Sequence, residues 1–451
     1  MVKPSVLKGT RDFLPEQIAK RDYLFDSIKK VYQKYGFLPI ETPAMEKSET
    51  LLGKYGEEGD RLIFKVLNNG DFMSGVDSSL PSNSLAKEIS KRALRYDLTV
   101  PFARFVSQHR NELSFPFKRY QIQPVWRADR PQKGRYQEFF QCDADVVGSD
   151  SLLHEVEFIL IFDEVLTSLG FDQITIHLNN RKILTGIAEV SGCIDKFNDM
   201  AIALDKLDKI GLEKVSIEWS KRGISDVSIA MLSDFFNSKE IDLDQIEKKL
   251  KDSEIGLKGV EELRYVQSSV IDLGLSRADL EIDLTLARGL DYYTGAIFEV
   301  KTSDYAIGSI CGGGRYDDLT GTFGLPDMSG IGVSFGADRI YDVLEATGKW
   351  PESLGVRTRA LFVNFGDKEA EYCMRLLKHI RAKGISAELY PSSAKLKKQL
   401  KYADDRSIPY VCLIGDKEME SDVITLKEMS TGDQKNVVLS ELIELLDTSE
   451  R

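Results

Sequence analysis

Arg127, Arg130, Lys133 and Arg135 crowd the turn between two strand-like runs in FKRYQIQPVWRADRPQKGRYQEFFQCDADVVG, Phe117 to Gly148. The second run alternates strictly, with Phe140, Cys142, Ala144 and Val146 on one face and Gln141, Asp143 and Asp145 on the other. A half-buried strand accounts for that alternation with no function attached. It does not account for the cations at the turn. Cations beside a carboxylate-lined sheet face describe a site that holds a polyanion and a cationic small molecule together. Phosphates would sit on the arginine forks, and an ammonium or imidazole against Asp145.

Three more segments carry polar residues of this kind. GGGRYDD places Gly312, Gly313 and Gly314 before Arg315 and Tyr316, and a glycine run makes a turn as readily as a ligand cradle. The chain contains no GxxxxGK[ST], and no GxGxxG opens a helix after a strand. Binding of ATP would therefore use arginines on antiparallel strands. In GVSFGADRIYDVL a strand ends at Gly336 and Arg339 falls in the first turn of a helix, where the dipole disfavours a cation. It needs a partner, either Asp338 or an ATP phosphate or adenine face. Arg288 stands just before Gly289 and the pair Tyr292–Tyr293, which reads as core and rim or as ligand contact.

The elements that must position these residues follow from periodicity. Residues 16–36 fit an amphipathic helix burying Ile18, Tyr23, Leu24, Ile28, Val31 and Tyr32. FLPIETPAM follows as an extended segment, and residues 74–84 as a polar loop without a pattern. ALRYDLTVPFARFV reads as a short strand with a helix opening after Pro101, and a long helix is predicted near 151–169. From 172 to 278 charged helical segments dominate, as an insertion in the first domain. Strand-like polar material resumes at 282. Past a linker near 350–357, RALFVNF, AELY and YVCLIG alternate with two helices, which predicts a small α/β unit.

A chain of 451 residues exceeds one ordinary core, and 42% hydrophobic with 29% charged residues is the composition of a globular protein. The N-terminus has no apolar core of signal-peptide length and no run of about 18 apolar residues occurs, so a cytoplasmic protein is expected. Five scattered cysteines without a CxxC predict free thiols and no protein-borne metal. A net charge of −12 argues against a nucleic-acid coat while allowing a local nucleic-acid site. Residues 356–451 hold 16 Lys+Arg and 16 Asp+Glu, so the excess negative charge lies before them. That shift supports a separate C-terminal domain with its own partner.

The order of these segments resembles the class II aminoacyl-tRNA synthetases, and among them the histidyl-tRNA synthetase family. RYQIQPVWRADRPQKGRYQEFFQCDADVVG is similar to the class's motif 2 and GIGVSFGADRI to motif 3. LARGLDYYTGAIFE and GGGRYDDL are similar to the two segments peculiar to the histidyl family, and KGTRDFLPE and LKKQLKYAD fit the same pattern. The match covers the chain apart from weak similarity over 172–278. Three departures are visible: Ala-Asp-Arg where the class more often has Leu-Glu-Arg, Asp318 where many relatives have glycine, and a loop at 74–84 longer than the shortest relatives need.

The resemblance implies an α+β catalytic domain, an antiparallel sheet flanked by helices, over 1–171 and 279–348. It implies a mainly helical insertion over 172–278 and an α/β anticodon-binding domain over 356–451. It implies that L-histidine is activated with ATP and Mg²⁺ and passed to tRNA(His) by a homodimer joined through ETPAM, with Pro43 in the interface. Asp97, Thr99 and Gln141 would hold the α-amino group, with Leu98 also in the histidine-binding set. Asp145, Tyr293, Tyr292 and Tyr316 would read the imidazole. Arg127 would bind the substrate carboxylate and the α-phosphate, with Arg288 gripping that phosphate from the other side. Asp129, Arg135 and Arg339 would handle ATP. Arg130 and Gln132 would approach the tRNA acceptor end, and Lys397, Lys398 and Lys401 would meet tRNA from a helix whose other face carries Leu396, Leu400 and Ala403. The competing expectation is a catalytically silent paralogue that senses histidine as a regulatory subunit. Retention of Arg127, Arg288 and Arg339 together, with a C-terminal unit, argues against it.

Overall fold

The computed structural model describes residues 3–132, 134–237, 242–287, 293–351, 354 and 358–447, without the side chains of residues 57 and 58. Arg288 and Tyr292 lie outside the described residues. The chain forms two compact units, Met1–Trp350 and Pro351–Arg451.

The first unit is built on one eight-stranded sheet. Its strands are β1 (Leu38–Pro39), β2 (Phe117–Trp126), β3 (Glu138–Val147), β4 (Ile174–Asn180), β5 (Ala278–Ile282), β6 (Tyr293–Thr302), β7 (Cys311–Asp317) and β8 (Ser329–Gly336). They lie in the order β1-β2-β3-β8-β7-β6-β4-β5. The six central strands are antiparallel, and the pair at each edge is parallel. Helix α1 (Pro15–Lys34) covers one face with Leu24, Ile28, Val31 and Tyr32 buried, and the Tyr32 hydroxyl donates to the Cys142 carbonyl at 2.7 Å. Ile18 departs from the helical-face expectation and is exposed, whereas Arg21 is buried because its guanidinium pairs with Asp338 at 2.9 Å.

In the β2–β3 hairpin the alternation expected from sequence holds, but exposure does not follow it. Cys142, Ala144 and Val146 enter the main core, and Asp143 and Asp145 on the opposite face are also buried. The polar face floors a cavity instead of meeting bulk water. Helix α2 spans Thr99–Gln108, so it opens before Pro101 and not after it. The first-turn N–H groups of a helix have no intrahelical acceptor, and a proline there removes nothing. The segment 74–84 is not wholly loop, since a helix starts at Ser82. Helix α3 (Leu153–Ser168) lies where it was expected.

Residues 174–180, placed by sequence at the start of the insertion, are β4, a full member of the sheet. The helical part runs from Arg181 to Leu273, and its core residues Ile183, Leu184, Leu263 and Val266 join the same hydrophobic cluster as β3 and α3. Gly312–Gly314 form no turn either. They lie inside β7, where a Cβ on Gly313 would stand 2.2 Å from the Gly332 carbonyl oxygen and one on Gly314 2.6 Å from that of Ala296. After β7 the chain turns at Asp318 with φ 60°, the left-handed conformation that explains why glycine suits this position. Helix α4 (Ala337–Thr347) leaves directly from β8.

The second unit has a five-stranded sheet in the order 387–389, 360–362, 410–413, 424–428, 434–437. The first three strands are parallel and the last two antiparallel, a hairpin that charge-rich sequence concealed. On the helix Leu396–Asp405 the buried residues are Gln399 and Ala403, with Leu396 exposed. Gln399 displaces the expected leucine because its amide ties Asn364 N, Asn364 O and Ala394 O at 2.8 Å each. All five cysteines are free and buried. Among the described residues no helix is long and apolar enough to cross a membrane.

Candidate active site

A cavity of about 830 Å³ lies over the polar face of the β2–β3 hairpin. It brings together Asp97, Thr99, Arg127, Asp129, Gln132, Arg135, Gln141, Asp145, Tyr293, Tyr316 and Arg339 from six separate segments. Leu98 is fully buried and does not line the cavity. Its carbonyl accepts from Arg119 at 3.4 Å. Arg130 is exposed and outside the lining, and Lys397, Lys398 and Lys401 belong to the second unit.

The acidic part is set by β3. Asp145 forms an ion pair with Arg119 at 2.7 Å directly across the hairpin, and accepts a 2.6 Å hydrogen bond from the Tyr316 hydroxyl. Arg119 was not among the residues expected to matter. The signal that could have found it is register, because a strand arginine opposite a strand aspartate in a buried hairpin is paired. Burial raises the Asp145 carboxyl, and the Arg119 charge and Tyr316 hydroxyl act against that. A carboxylate accepts at about four lone-pair sites, so capacity for a ligand N–H remains. Tyr293 lines the same region, and burial followed by the charge of Asp145 raises its phenol, keeping the hydroxyl a donor.

Asp97 is held from outside the sheet. Its Oδ1 accepts from the Tyr55 hydroxyl at 2.8 Å and from Val100 N at 3.2 Å. Its Oδ2 is buried without a partner among the described residues, as is Gln141 Oε1. Gln141 Nε2 donates to Ser334 Oγ at 3.2 Å and to Asp143 Oδ1 at 3.4 Å. Two residues of one cavity thus each carry a buried acceptor without a partner among the described residues, a need that an ammonium group would meet. Tyr55, which sequence alone did not single out, stacks on Tyr96 at 4.7 Å between ring centroids. Tyr55→Phe keeps that packing and removes only the hydroxyl. A hydrogen bond to a charged group contributes about 1.5–3 kcal/mol, so the variant is expected to raise KM for the amino acid about tenfold or more and leave KM for the nucleotide unchanged. Steady-state kinetics in both substrates check this, and an unaltered amino-acid KM would refute the positioning role.

Asp143 lies between Gln141 and Asp145 on the polar face of β3 and was placed there by alternation without being given a role. Burial pushes its carboxyl from 3.8 up to about 7, against the pull of Arg119. In the unfolded chain it ionises near 3.8, so between those values the folded protein binds more protons. Its stabilising contribution is therefore complete below about pH 4 and lost as pH rises to about 7. Asp97 and Asp145 are also raised and act in the same sense. Asp143→Asn is expected to flatten the unfolding midpoint against pH across that window. An unchanged slope would show that Asp143 is ionised in the folded protein.

The basic part gathers at the loop end of the hairpin. Arg127 donates from Nε to the Tyr96 carbonyl at 3.1 Å, and its guanidinium lies 4.3 Å over the Tyr96 ring and 5.1 Å over Phe139. Arg135 pairs with buried Asp129 at 2.7 Å, so Asp129 acts on the cavity through Arg135. Arg339 donates from Nη1 to Ser309 O at 2.6 Å and from Nε to Gly134 O at 3.1 Å. Asp338, one of its two candidate partners, turns instead to Arg11 and Arg21. One cavity thus carries carboxylates along the strand and arginines at the strand's loop end. This arrangement suits a cation joined to, or reacting with, a polyphosphate.

The family model described as Histidyl-tRNA synthetase matches residues 9–79 and 86–340, and an anticodon binding domain matches 360–448. This chain belongs to the histidyl-tRNA synthetase family. Among the family's members, the histidine–tRNA ligase of Christiangramia forsetii is 57% identical over 96% of this chain and 97% of its own. That of Bacteroides fragilis is 55% identical over 98% of each. The crystal structure of the histidyl-tRNA synthetase from Nostoc superposes with a TM-score of 0.82 at 32% identity, over the whole of both chains. A Bacillus halodurans structure described as an ATP phosphoribosyltransferase regulatory subunit/histidyl-tRNA synthetase reaches a TM-score of 0.73 at 19% identity, a likeness of fold alone. Family membership accounts for both the class II sheet and the separate C-terminal sheet.

Proposed function

We propose that this chain is a histidine–tRNA ligase. It activates L-histidine with MgATP to histidyl adenylate and pyrophosphate, then transfers histidine to the 3′ end of tRNA(His). The observation that carries the reading is the division of charge within the one cavity, Asp143 and Asp145 along the strand with Asp97 beside them, and Arg127, Arg135 and Arg339 at the strand's loop end. The α-ammonium of histidine sits between Asp97 and Gln141 with Thr99 beside it, and the imidazole meets Asp145, Tyr293 and Tyr316. The substrate carboxylate attacks the α-phosphorus in line, and the bond to pyrophosphate breaks. Arg127 stabilises the charge that grows on the phosphoryl oxygens, with Arg288 assigned to the opposite side by family resemblance. No side chain becomes covalently attached, and positioning with electrostatics supplies the acceleration. The terminal ribose hydroxyl of tRNA then attacks the acyl carbonyl and AMP leaves.

Mg²⁺ enters with the nucleotide as part of the substrate. Arg130 and Gln132, exposed on the loop, meet the acceptor end of tRNA. Lys397, Lys398 and Lys401 add a salt-dependent share of tRNA affinity, Lys401 after release from its exposed pair with Asp405. The catalytic domain comprises 1–171 and 279–348 together with β4, the helical insertion lies between them, and 356–451 is the anticodon-binding domain. The chain works in the cytoplasm as a homodimer whose interface includes Pro43. Histidine-dependent ATP–pyrophosphate exchange followed by charging of tRNA tests the reading. Exchange with another amino acid and none with histidine would sink the specificity, and histidine binding without exchange or charging would favour the histidine-sensing role.

A further inference from the structure

The segment KGTRDF has no part in the chemistry above, yet it is tied to both elements that hold the nucleotide arginines. The Gly9 carbonyl accepts from Gln137 N at 2.8 Å, at the end of the loop that carries Arg127 and Arg135. A Cβ on Gly9 would lie 2.7 Å from Gln137 Cγ and 2.9 Å from Pro131 Cγ, so the strand of backbone is pressed directly on that loop. Two residues on, the Arg11 guanidinium lies 3.4 Å over the ring of Tyr136, which lines the cavity. The same guanidinium forms an ion pair with Asp338, the residue before Arg339. Asp338 is buried, and its other oxygen accepts from Phe140 N at 3.0 Å, at the start of β3. Tyr136 completes the circuit, since its hydroxyl reaches Asp342 on α4 at 3.3 Å.

We infer that Arg11 is a positioning residue for ATP: it clamps the loop of 127–137 to the first turn of α4, so that Arg135 and Arg339 present one preformed phosphate site. The inference rests on the ligase reading. A buried carboxylate at a helix start already has a second cation in Arg21, which is sufficient for charge balance. What Arg21 does not contribute is the contact with Tyr136. A flat guanidinium both stacks on a ring and forks to a carboxylate, whereas an ammonium does only the second. Arg11 therefore adds, through the Tyr136 ring, a link between the loop and α4 that Arg21 does not make, beside the contacts of Tyr136 with Asp342 and of Arg339 with Gly134.

The test is histidine-dependent ATP–pyrophosphate exchange by the full chain and by Arg11→Gln, Arg11→Lys and Tyr136→Leu, with KM measured for each substrate. Arg11→Gln is expected to raise KM for ATP roughly tenfold while KM for histidine stays within about twofold. Arg11→Lys is expected to recover only part of that loss. In the Arg11→Gln background, Tyr136→Leu is expected to cost less than it does in the parent, because the ring–guanidinium link is already broken and only the Asp342 contact is lost anew. Unchanged KM for ATP, equal rises for both substrates, or full recovery by lysine would each overturn the clamp. If Arg11→Gln does not fold, the lysine and leucine variants decide the question by the same split. A parent chain without histidine-dependent exchange would overturn the ligase reading as well; a competent parent with unaffected variants overturns the clamp alone.

Discussion

Arg127→Ala is expected to lower kcat for histidine-dependent pyrophosphate exchange by about 10²–10³-fold, the loss typical when one preorganised donor to a developing anion is removed. The arginine is well placed for such a loss. Its Nε is held by the Tyr96 carbonyl at 3.1 Å and its plane rests on Tyr96, so the remaining N–H groups are presented to the cavity without further reorganisation. Arg127→Lys would keep a charge but lose both the stacked plane and the anchored Nε, and is expected to recover little. Exchange rates at saturating substrates, with unfolding midpoints measured alongside, check this. Near-parental kcat in a folded Arg127→Ala chain would remove Arg127 from the mechanism.

Glu155→Ala is expected to be the most destabilising single change, costing about 3–5 kcal/mol. Glu155 is fully buried on α3 and takes both arms of Arg315, at 2.5 and 2.7 Å, from the middle of β7. Removing the carboxylate leaves Arg315, a residue only 4% exposed, with its hydrogen bonds to Ser149 O, Ser151 O and Ser329 Oγ but without the carboxylate that balances its charge. The consequence reaches the site, because Tyr316, the next residue of β7, carries the hydroxyl that meets Asp145. Denaturation midpoints should fall sharply and KM for histidine rise. Replacing the pair together, as Glu155→Leu with Arg315→Met, is expected to return most of the stability, since a buried ion pair is costly to break but replaceable by apolar volume. A double variant as unstable as Glu155→Ala would assign the loss to packing around α3.

The two changes differ in how plainly the sequence marks them. Arg127 is visible from local pattern: a cation at the end of one strand and an acidic face on the next, within about thirty residues. Arg315 follows three glycines and reads as part of a turn, because its partner stands 160 positions away and no local periodicity connects them. Arg119 and Arg21 escape notice for the same reason. A buried arginine and a solvated one have identical local sequence, and only the tertiary partner tells them apart. Apolar residues are legible to the extent that one face of a helix is buried, which held for Leu24, Ile28 and Val31. It failed at Ile18 and Leu396, where a buried polar network on the same helix took the interior position. The glycines of β7 were legible as unusual but not as strand, since close approach of neighbouring backbones is a property of the assembled sheet.

The placement of the helical region between β4 and β5 sets a limit on how the chain can be shortened. These strands are neighbours and run parallel, Ile174 facing Ala278 and Leu178 facing Ile282. The segment between them must return from the end of one strand to the beginning of the next, a path that no tight turn can follow. The helices 181–273 are therefore a crossover and not an appendage. A truncated chain that joined Asn180 to Ala278 through a two- or three-residue linker would be forced to reverse β5 or abandon it, and a replacement of a dozen residues or more is the least the topology permits.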